Sequence, residues 1–459
     1  MSEWIQVKAR AEVAKVTGGE RSPATKDELG KIGRQMAADA VFGTFGEFSG
    51  DYWKDKFSKK PEEFTEVEVE KAEDRWAEIT LRIDSSQYDP ERGGLQHFLG
   101  VLAGDLFFLQ IPGFVISQLK VTDVSLPKKF SMGLESHYRR EAYTTERIRN
   151  GFQLEACEPL MAFSIKPRVG LSPEALREIV LGVLEAGFQI AEFDTRYLDL
   201  SSSNVEFLVG LAREAAAVGG EKRVTRLSPN LSVPQMLAVD IYKQFLATSK
   251  WPRVVKVDGG LDSLGTVQAL RKIFAKTDSP IVTCYPLLSD QLSSKVPRDF
   301  FVRSLALSGV DIIYPGGSPR VGGGARDLGA EERTAVNSAT ARYHKLAAEP
   351  WPMITLAGGI YAGQLHCLYE LVGPPVAYFL GGCVSLHKDG PIDGAKLCID
   401  IIREAAKLHT REPKEIKDLP EGLITRAENA YKLPPGASPA LYRYTSPKER
   451  LSQLEVPRW

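Results

Sequence analysis

The sequence predicts an α/β protein in which a C-terminal (β/α)₈ barrel, of the TIM type, follows a small α+β N-terminal domain. Two patterns support this prediction. Between residues 160 and 382, eight short apolar runs alternate with segments of helical periodicity. Before residue 150, period-2 stretches and separate helices replace that alternation. The length of 459 residues suits a small domain together with a large one.

The eight apolar runs are predicted to be the barrel strands. They lie at 160–165, 188–193, 223–228, 253–258, 280–286, 310–315, 353–359 and 376–382. Short continuous runs of this kind are typical of strands that are buried on both faces of a parallel sheet. The first helix between runs carries the expected signals, because Ser172 can cap it, Pro173 suits its first position and Gly187 can end it. An open doubly wound sheet is the alternative, but eight units favour closure into a barrel.

Three parts of the chain are predicted. Residues 1–150 form the α+β domain, 151–412 the barrel, and 413–459 a tail, rich in Pro, Lys and Glu, that lies on the surface or is partly mobile. The polar segment 136–159 is predicted to link the two domains. In the first domain we expect strands at 4–13 and 76–84, a strand with a turn at 114–127, and helices at 26–43 and 93–107.

Composition excludes several classes of partner. The 58 basic and 59 acidic residues leave a net charge of −1, so we expect no nucleic-acid partner. The five cysteines have neither the spacing of a zinc site nor that of a disulfide framework. The sequence starts without a signal-peptide pattern and contains no apolar stretch long enough for a membrane span. A cytoplasmic protein without a membrane partner is therefore the expectation.

Active sites of such barrels form from residues that follow the carboxyl ends of the strands. Lys166 and Arg168 follow the first predicted strand, and Glu192 and Asp194 end the second. The two carboxylates would point to the same face and could hold a hard cation such as Mg²⁺. Ordinary strand termination, or an ion pair with Lys166 or Arg168, is the alternative. Lys166 itself could bind phosphate or act as an acid or base, or could be a solvated loop lysine.

Two glycine pairs predict a phosphate site. Gly358-Gly359 and Gly381-Gly382 end the seventh and eighth predicted strands, which is where barrels commonly bind phosphate. Residues without a Cβ let backbone N–H groups approach an anion closely. Tight turns alone are the alternative, but one pair on each of two neighbouring strands favours phosphate binding.

Five segments carry motifs that occur together in one known family. They are EFSGDYW at 47–53, Gly-Asp at 104–105, SIKPRVGLS at 164–172, TLAGG at 355–359 and GGCVSLH at 381–387. They resemble the large chain of ribulose-bisphosphate carboxylase (RuBisCO) and its RuBisCO-like, form IV type relatives. The resemblance implies that Lys166 takes part in proton transfer and that Glu47 and Asp105 complete the site of a neighbouring subunit. Arg168 and Asp105 join the glycine pairs as substrate-binding candidates. A homodimer or higher oligomer, with sites at the subunit interface, is therefore expected.

The segment that binds metal in carboxylases is replaced here. In that family strand 2 ends in Lys-Asp-Asp-Glu, and the lysine is carbamylated and helps to hold Mg²⁺; the residues here are Glu192-Phe193-Asp194-Thr195. The loop after strand 6 lacks the family's lysine, and Tyr314 and Ala357 stand in place of a histidine and a serine. Carboxylation needs a metal-bound enediolate and a cation for the new carboxylate. We therefore expect no lysine carbamate and no CO₂ fixation. Mg²⁺ at Asp194 and Glu192 and metal-free proton transfer both stay open.

Three kinds of function remain. The first is an enzyme, an isomerase or enolase or else a lyase, acting on a phosphorylated sugar or thio-sugar. Lys166 or Glu192 would remove a proton next to a carbonyl, and Asp194 would stabilise the enolate. The second is a non-catalytic protein, regulatory or binding a phosphorylated ligand, on the same scaffold, and the third is a structural subunit, for example of a mixed oligomer. Since Lys166, Glu47 and both glycine pairs occur together, the sequence favours retained ligand binding.

Overall fold

The computed structural model describes residues 3–17, 20–42, 65–73, 76–90, 94–103, 114–139, 142–167, 171–193, 202–220, 224–258, 261–274, 278–285, 296–316, 318–319, 330–411, 417–431 and 443–455. They fall into two units. The first takes the described parts of Met1–Arg140, Gly259–Gly265 and Leu287–Ser308, and the second those of Glu141–Asp258, Thr266–Pro286 and Gly309–Trp459. Across these residues, no helix is long and apolar enough to cross a membrane. The three-part division predicted from the sequence stays a prediction.

An antiparallel sheet is the centre of the first unit. Its strands are β1 (Trp4–Thr17), β2 (Glu20–Pro23), β3 (Thr65–Glu73), β4 (Trp76–Asp84) and β5 (Phe114–Ser125). β1 pairs with β4 and β5 along its length and with β2 at its end, while β3 pairs with β4. Alternate residues of β1 from Ile5 to Val13 are buried, so one face of the sheet carries a core.

Three helices accompany this sheet: α1 (Lys26–Phe42), α2 (Gly94–Ala103) and α3 (Lys128–Leu134). α1 approaches the sheet closely at Gly33, where an added Cβ would lie 2.6 Å from a methyl carbon of Val67. The strands and helices predicted here are confirmed, except that 114–127 is one strand with two register shifts in place of a strand and a turn. Strand β3 was not predicted, because charged residues such as Glu66 and Glu68 alternate with its few apolar residues.

Eight parallel strands form the barrel of the second unit. They are β6 (Met161–Ser164), β7 (Ile190–Glu192), β8 (Arg226–Ser228), β9 (Val254–Asp258), β10 (Ile281–Tyr285), β11 (Ile312–Ile313), β12 (Met353–Ala357) and β13 (Ala377–Leu380). Each predicted run contains one of them. Their spatial order is β8-β7-β6-β13-β12-β11-β10-β9. The two end strands meet just beyond β8, where Lys256 N donates to Pro229 O at 2.8 Å and Leu231 N donates to Lys256 O at 2.7 Å. The predicted (β/α)₈ architecture is therefore confirmed.

The remaining helices follow in chain order. They are α4 (Thr145–Gly151), α5 (Pro173–Ala186), α6 (Ser202–Val218), α7 (Gln235–Leu246), α8 (Leu261–Ile273), α9 (Arg298–Leu307), α10 (Ala330–Ala347), α11 (Leu365–Val372), α12 (Gly382–Ser385), α13 (Pro391–Arg411), α14 (Glu421–Glu428) and α15 (Pro447–Leu451). α5 begins and ends as predicted, because Ser172 Oγ accepts a hydrogen bond from Ala175 N and Gly187 follows its last turn with φ 133°.

The amino ends of the strands are closed by residues of the segment predicted as a polar link. Tyr143, Ile148 and Phe152 are buried there in one apolar cluster. Tyr143 N also donates to Asp311 Oδ1 at 2.8 Å, and Asp311 forms a buried ion pair with Arg271. The strand residues of this cluster are Ala162, Ile190, Val254, Ile281, Ile312, Met353, Ala377 and Phe379. Any opening of the barrel therefore faces its other, carboxyl-terminal end.

Described parts of the C-terminal segment pack onto the barrel unit. Tyr431 Oη donates to Cys383 O at 2.9 Å and accepts from Ala362 N at 3.1 Å. Tyr444 Oη lies 2.8 Å from His366 Nδ1. Because Cys383 and Ala362 follow β13 and β12, Tyr431 supports the segments at the carboxyl ends of the last two strands, while Tyr444 contacts helix α11.

His366 makes the stability of the fold depend on pH. Burial lowers its pKa to about 4, although the charge of Asp418 acts in the opposite direction. In the unfolded chain the pKa is about 6.5, so between these values the unfolded state binds more protons. The free energy of unfolding should therefore fall by roughly 3 kcal/mol as the pH drops from about 6.5 to about 4.

Urea unfolding of wild type and His366→Gln across this pH range measures the effect. The variant should lose this component of the pH dependence, whereas His97→Gln, which changes an exposed histidine, should keep it. Equal pH slopes for wild type and His366→Gln would contradict the assignment.

Candidate functional site

A cavity of about 330 Å³ opens at the carboxyl ends of the barrel strands. Its size suits a small metabolite. Its wall consists of Ser164, Lys166, Glu192, Lys256, Asp258, Thr283, Cys284, Tyr285, Ile312, Tyr314, Thr355, Ala357, Gly358, Gly359, Ile360, Tyr361, Phe379, Leu380, Gly381 and Gly382. Every one of these residues lies in the barrel unit.

The structure brings six of the predicted site residues to this one cavity: Lys166, Glu192, Gly358, Gly359, Gly381 and Gly382. The other four, Glu47, Asp105, Arg168 and Asp194, lie outside the described residues. The roles assigned to all ten from the sequence stay predictions. What the structure adds is the geometry around the six.

The first glycine pair leaves backbone open to the cavity. Gly358 and Gly359 have φ angles of 77° and 67°, a region that favours glycine over residues with a Cβ. A Cβ on Gly359 would meet no atom within 4 Å, and one on Gly358 would have Tyr314 Oη as its neighbour at 3.9 Å. An anion could therefore come close to the main chain at this turn.

The second glycine pair makes room for Lys166. A Cβ on Gly381 would lie 3.2 Å from Ser164 O and 3.5 Å from Lys166 Cε. The lysine side chain, which is half-buried, thus runs along the backbone of Gly381. This contact holds the predicted acid/base residue beside one of the predicted phosphate-binding turns.

Glu192 lies in a buried cluster of charges. Its Oε1 is 3.1 Å from Lys256 Nζ, and its Oε2 accepts a hydrogen bond from Thr283 Oγ1 at 2.8 Å. Lys256 Nζ is also 3.5 Å from Asp258 Oδ1, and the side chains of Lys256, Glu192 and Asp258 are at most 7% exposed. Two carboxylates therefore share one ammonium in the cavity wall.

The side chains beyond β8 fix Asp258. Asn230 Nδ2 donates to Asp258 Oδ2 at 2.8 Å, and Asp258 N donates to Ser232 Oγ at 2.6 Å. Ser232 Oγ in turn lies 2.5 Å from Asn230 Oδ1. Because the carboxylate is oriented by its neighbours, the position of the shared ammonium is defined from both sides.

Burial raises the pKa of the Glu192 carboxyl, and the charge of Lys256 with the Thr283 hydrogen bond opposes that effect. The Lys256 ammonium thus favours the charged form of Glu192, against the effect of burial.

Lys256 is not among the site residues predicted from the sequence. The sequence does contain a signal for it, because the fourth apolar run, RVVKVD at 253–258, has a lysine in the middle of a strand predicted to be buried on both faces. Since Lys256 lies inside this run, the rule that sites follow strand ends does not select it. From the sequence, Lys166 or Arg168 was considered as the ion-pair partner of Glu192. In the structure, Lys256 forms an ion pair with Glu192.

A tyrosine pair completes the wall between β10 and β11. The rings of Tyr285 and Tyr314 are stacked, with centroids 5.0 Å apart and planes inclined by 7°. These rings form an aromatic part of the cavity wall, whereas Glu192, Lys256 and Asp258 form a charged part. Tyr314 also reaches Gly358, as described above.

Asp194, the second predicted ligand of a magnesium ion, lies outside the described residues, and these residues do not fit a magnesium site by themselves. Among them, no group of three or more His, Cys, Asp or Glu side chains could hold a metal ion. Lys256 Nζ and Thr283 Oγ1 each engage one oxygen of Glu192. A divalent ion at this carboxylate would have to displace the ammonium.

Comparison with known proteins agrees with this architecture. No protein-family model matches the chain. The ribulose bisphosphate carboxylase of Pyrococcus furiosus is 23% identical over 333 residues, which cover 69% of this chain and 72% of that protein. The octameric RuBisCO of Pyrococcus horikoshii has the same fold, with a TM-score of 0.66, 17% identity and 88% of each chain covered. A RuBisCO-like protein (MtnW) from Alicyclobacillus acidocaldarius gives a TM-score of 0.63 and 17% identity, covering 90% of this chain and 97% of its own.

The chain thus has the fold of the RuBisCO large chains. The predicted resemblance is confirmed: the chain is related in sequence to the RuBisCO large chains, and solved structures with its fold include RuBisCO-like proteins.

Replacing Lys256 by Met should destabilise the protein strongly, because Glu192 and Asp258 would stay buried without their shared cation. Removing one member of a buried ion pair costs about 3–5 kcal/mol. The matched control is Lys243→Met, since Lys243 pairs with Asp240 at 3.0 Å but both side chains are more than half exposed. That change should cost less than about 1 kcal/mol.

Denaturant unfolding of both variants and of the double variant Lys256→Met/Glu192→Gln provides the measurement. The double variant should regain part of the lost stability, because it buries one charge fewer. Equal losses for Lys256→Met and Lys243→Met would show that the cluster is not a buried ion pair.

Proposed function

We propose that this RuBisCO-like protein catalyses proton transfer next to a carbonyl of a phosphorylated sugar or thio-sugar, a reaction of the enolase or isomerase type, and does not fix CO₂. One observation carries the proposal. A single cavity brings together Lys166, two glycine pairs, one of them with open space beside its backbone, and a buried ammonium between carboxylates. These are the groups needed to hold an anion, to move a proton and to stabilise an enolate.

The glycine pairs would hold the phosphate. Gly358 and Gly359 support this role through their positive φ angles and the open space beside them. Lys166, which runs along Gly381, could add a positive charge at the other pair. The substrate's carbonyl carbon would then lie between the two turns, near the charged cluster.

Lys166 is the better candidate for the base. Both oxygens of Glu192 are engaged, one by the Lys256 ammonium and one by the Thr283 hydroxyl. A carboxylate in that state would lose its ion pair on taking a proton. Lys166 is half-buried at the cavity wall, where a substrate could contact its amine.

The same cluster argues against carboxylation. The position at which carboxylases carry a carbamylated lysine is Glu192, and its carboxylate is held by Lys256. Tyr314 and Ala357 also replace a histidine and a serine of the family in the cavity wall. Incubation with ribulose bisphosphate and labelled CO₂ should therefore give no acid-stable product.

A cytoplasmic location remains part of the proposal.

The test uses a thermal-shift screen of sugar phosphates followed by exchange in D₂O. Compounds that raise the melting temperature are incubated with protein, and NMR follows deuterium entering the carbon next to the carbonyl. We expect exchange in wild type and none in Lys166→Met. The control variant Lys243→Met, which changes an exposed lysine on α7, should exchange like wild type.

The possible outcomes separate the parts of the proposal. If no phosphorylated compound stabilises the protein, the phosphate site is wrong. If a compound binds without exchange in wild type, the chain is a ligand-binding protein without catalysis, which is the alternative raised by the sequence. Undiminished exchange in Lys166→Met would remove Lys166 from the mechanism.

We also propose a homodimer in which Glu47 and Asp105 complete the partner's site. The support is the resemblance of their segments to the family and the octameric assembly of the Pyrococcus horikoshii RuBisCO. Light scattering at working concentration should give at least twice the chain mass of 50.6 kDa. A monomeric mass would contradict the shared site.

A further inference from the structure

We propose that the ammonium of Lys256 is the resident cation of this cavity and takes the place of a divalent metal ion in stabilising the enolate. The catalytic part of this inference, stabilisation of the enolate, rests on the proton-transfer function proposed above. The structural part, an ammonium in the place of a metal ion, does not.

The position of Lys256 carries the inference. Its Nζ lies 3.1 Å from Oε1 of Glu192 on β7 and 3.5 Å from Oδ1 of Asp258 on β9, both at the carboxyl-terminal end of the barrel. A cation bound by these two carboxylates would lie in that place. The ammonium is covalently attached to β9, so it is present without being recruited from solution.

The surroundings keep the ammonium in place. Thr283 Oγ1 holds the second oxygen of Glu192 at 2.8 Å, and Asn230 Nδ2 holds the second oxygen of Asp258 at 2.8 Å. Both carboxylates thus direct their remaining oxygens toward Lys256. In a site this well shielded from water, the attraction between an ammonium and these carboxylates is strong.

The position of the ammonium also disfavours an added metal ion, because Lys256 Nζ already lies between the carboxylates of Glu192 and Asp258. Mg²⁺ prefers six oxygen ligands in an octahedral arrangement and strongly repels a nearby ammonium. It would therefore have to compete with Lys256 for the same two oxygens.

The reaction balances without a metal. The base takes the proton from the carbon next to the carbonyl, and the electron pair of the broken C–H bond moves into the carbonyl to give an enolate oxygen. Lys256 lines the cavity, so its ammonium can donate to that oxygen as charge develops. Returning the proton to the same carbon restores the original carbonyl. If that carbon carries a hydroxyl group, the proton can return to the neighbouring carbon instead; the hydroxyl proton then moves to the enolate oxygen, and the isomeric carbonyl compound forms. Lys256 is unchanged in both cases.

The structural part is tested on wild-type protein by titrating Mn²⁺ and measuring bound ion by electron paramagnetic resonance. We expect no stoichiometric binding. One Mn²⁺ per chain in wild type that is lost in Glu192→Gln would overturn the inference, because the carboxylate would then hold a metal ion. This result does not depend on any substrate, so it is separate from the fate of the proposed function.

The catalytic part is tested by proton exchange with a ligand identified by thermal shift. Wild-type exchange should be unchanged by EDTA, and Lys256→Met should lower its rate by roughly 10²- to 10³-fold, as for loss of one oxyanion donor. Binding of inorganic phosphate, followed by calorimetry, should stay close to wild type. If Lys256→Met does not fold, Lys256→Met/Glu192→Gln, which removes both partners of the pair, replaces it. Exchange that EDTA abolishes, or that survives in either variant, would overturn the role of Lys256.

Discussion

A lysine ammonium held between two carboxylates lies in the wall of a barrel whose interior is otherwise mostly apolar. Burying these charges is costly, and they are tolerated because each has an opposite charge and a hydrogen-bond partner. Glu192 would be the most affected member if the pairing failed, since burial alone favours its protonated form. The state of the cavity therefore depends on this contact more than on any other in the described structure.

The fold prepares the contact through the arrangement of its strands. Glu192, Lys256 and Thr283 come from β7, β9 and β10, and parallel strands bring their carboxyl ends to one rim. Hydrogen bonds just beyond β8 join it to β9 at Lys256 itself, so the residue that carries the ammonium is also at the closure of the barrel. The apolar cluster around Phe152 closes the other end. The cavity is therefore open at the carboxyl ends of the strands. Its wall carries both the charged cluster and the open backbone of Gly358 and Gly359.

The parts of the structure that depend on local pattern could be predicted from the sequence. Continuous apolar runs identified all eight barrel strands, and the rule that sites follow strand ends found Lys166 and the glycine pairs. Pairings between distant residues could not be found this way. Lys256 sits inside a run and meets Glu192 only after the barrel forms. The apolar cluster at the amino ends of the strands was not predicted either. Its residues Ile148 and Phe152 are scattered among charged residues, so the segment has a polar composition.

We propose that a built-in ammonium, and no metal ion, faces the ligand in the cavity at the carboxyl ends of the strands. A crystal structure of the protein grown with Mn²⁺ and inorganic phosphate, with data collected at the manganese absorption edge, distinguishes the two cations. We expect phosphate density at the glycine pairs, the ammonium of Lys256 beside Glu192, and no anomalous peak in the cavity. A manganese peak bound to Glu192 and Asp258, with the side chain of Lys256 turned away, would rule out this role of the ammonium.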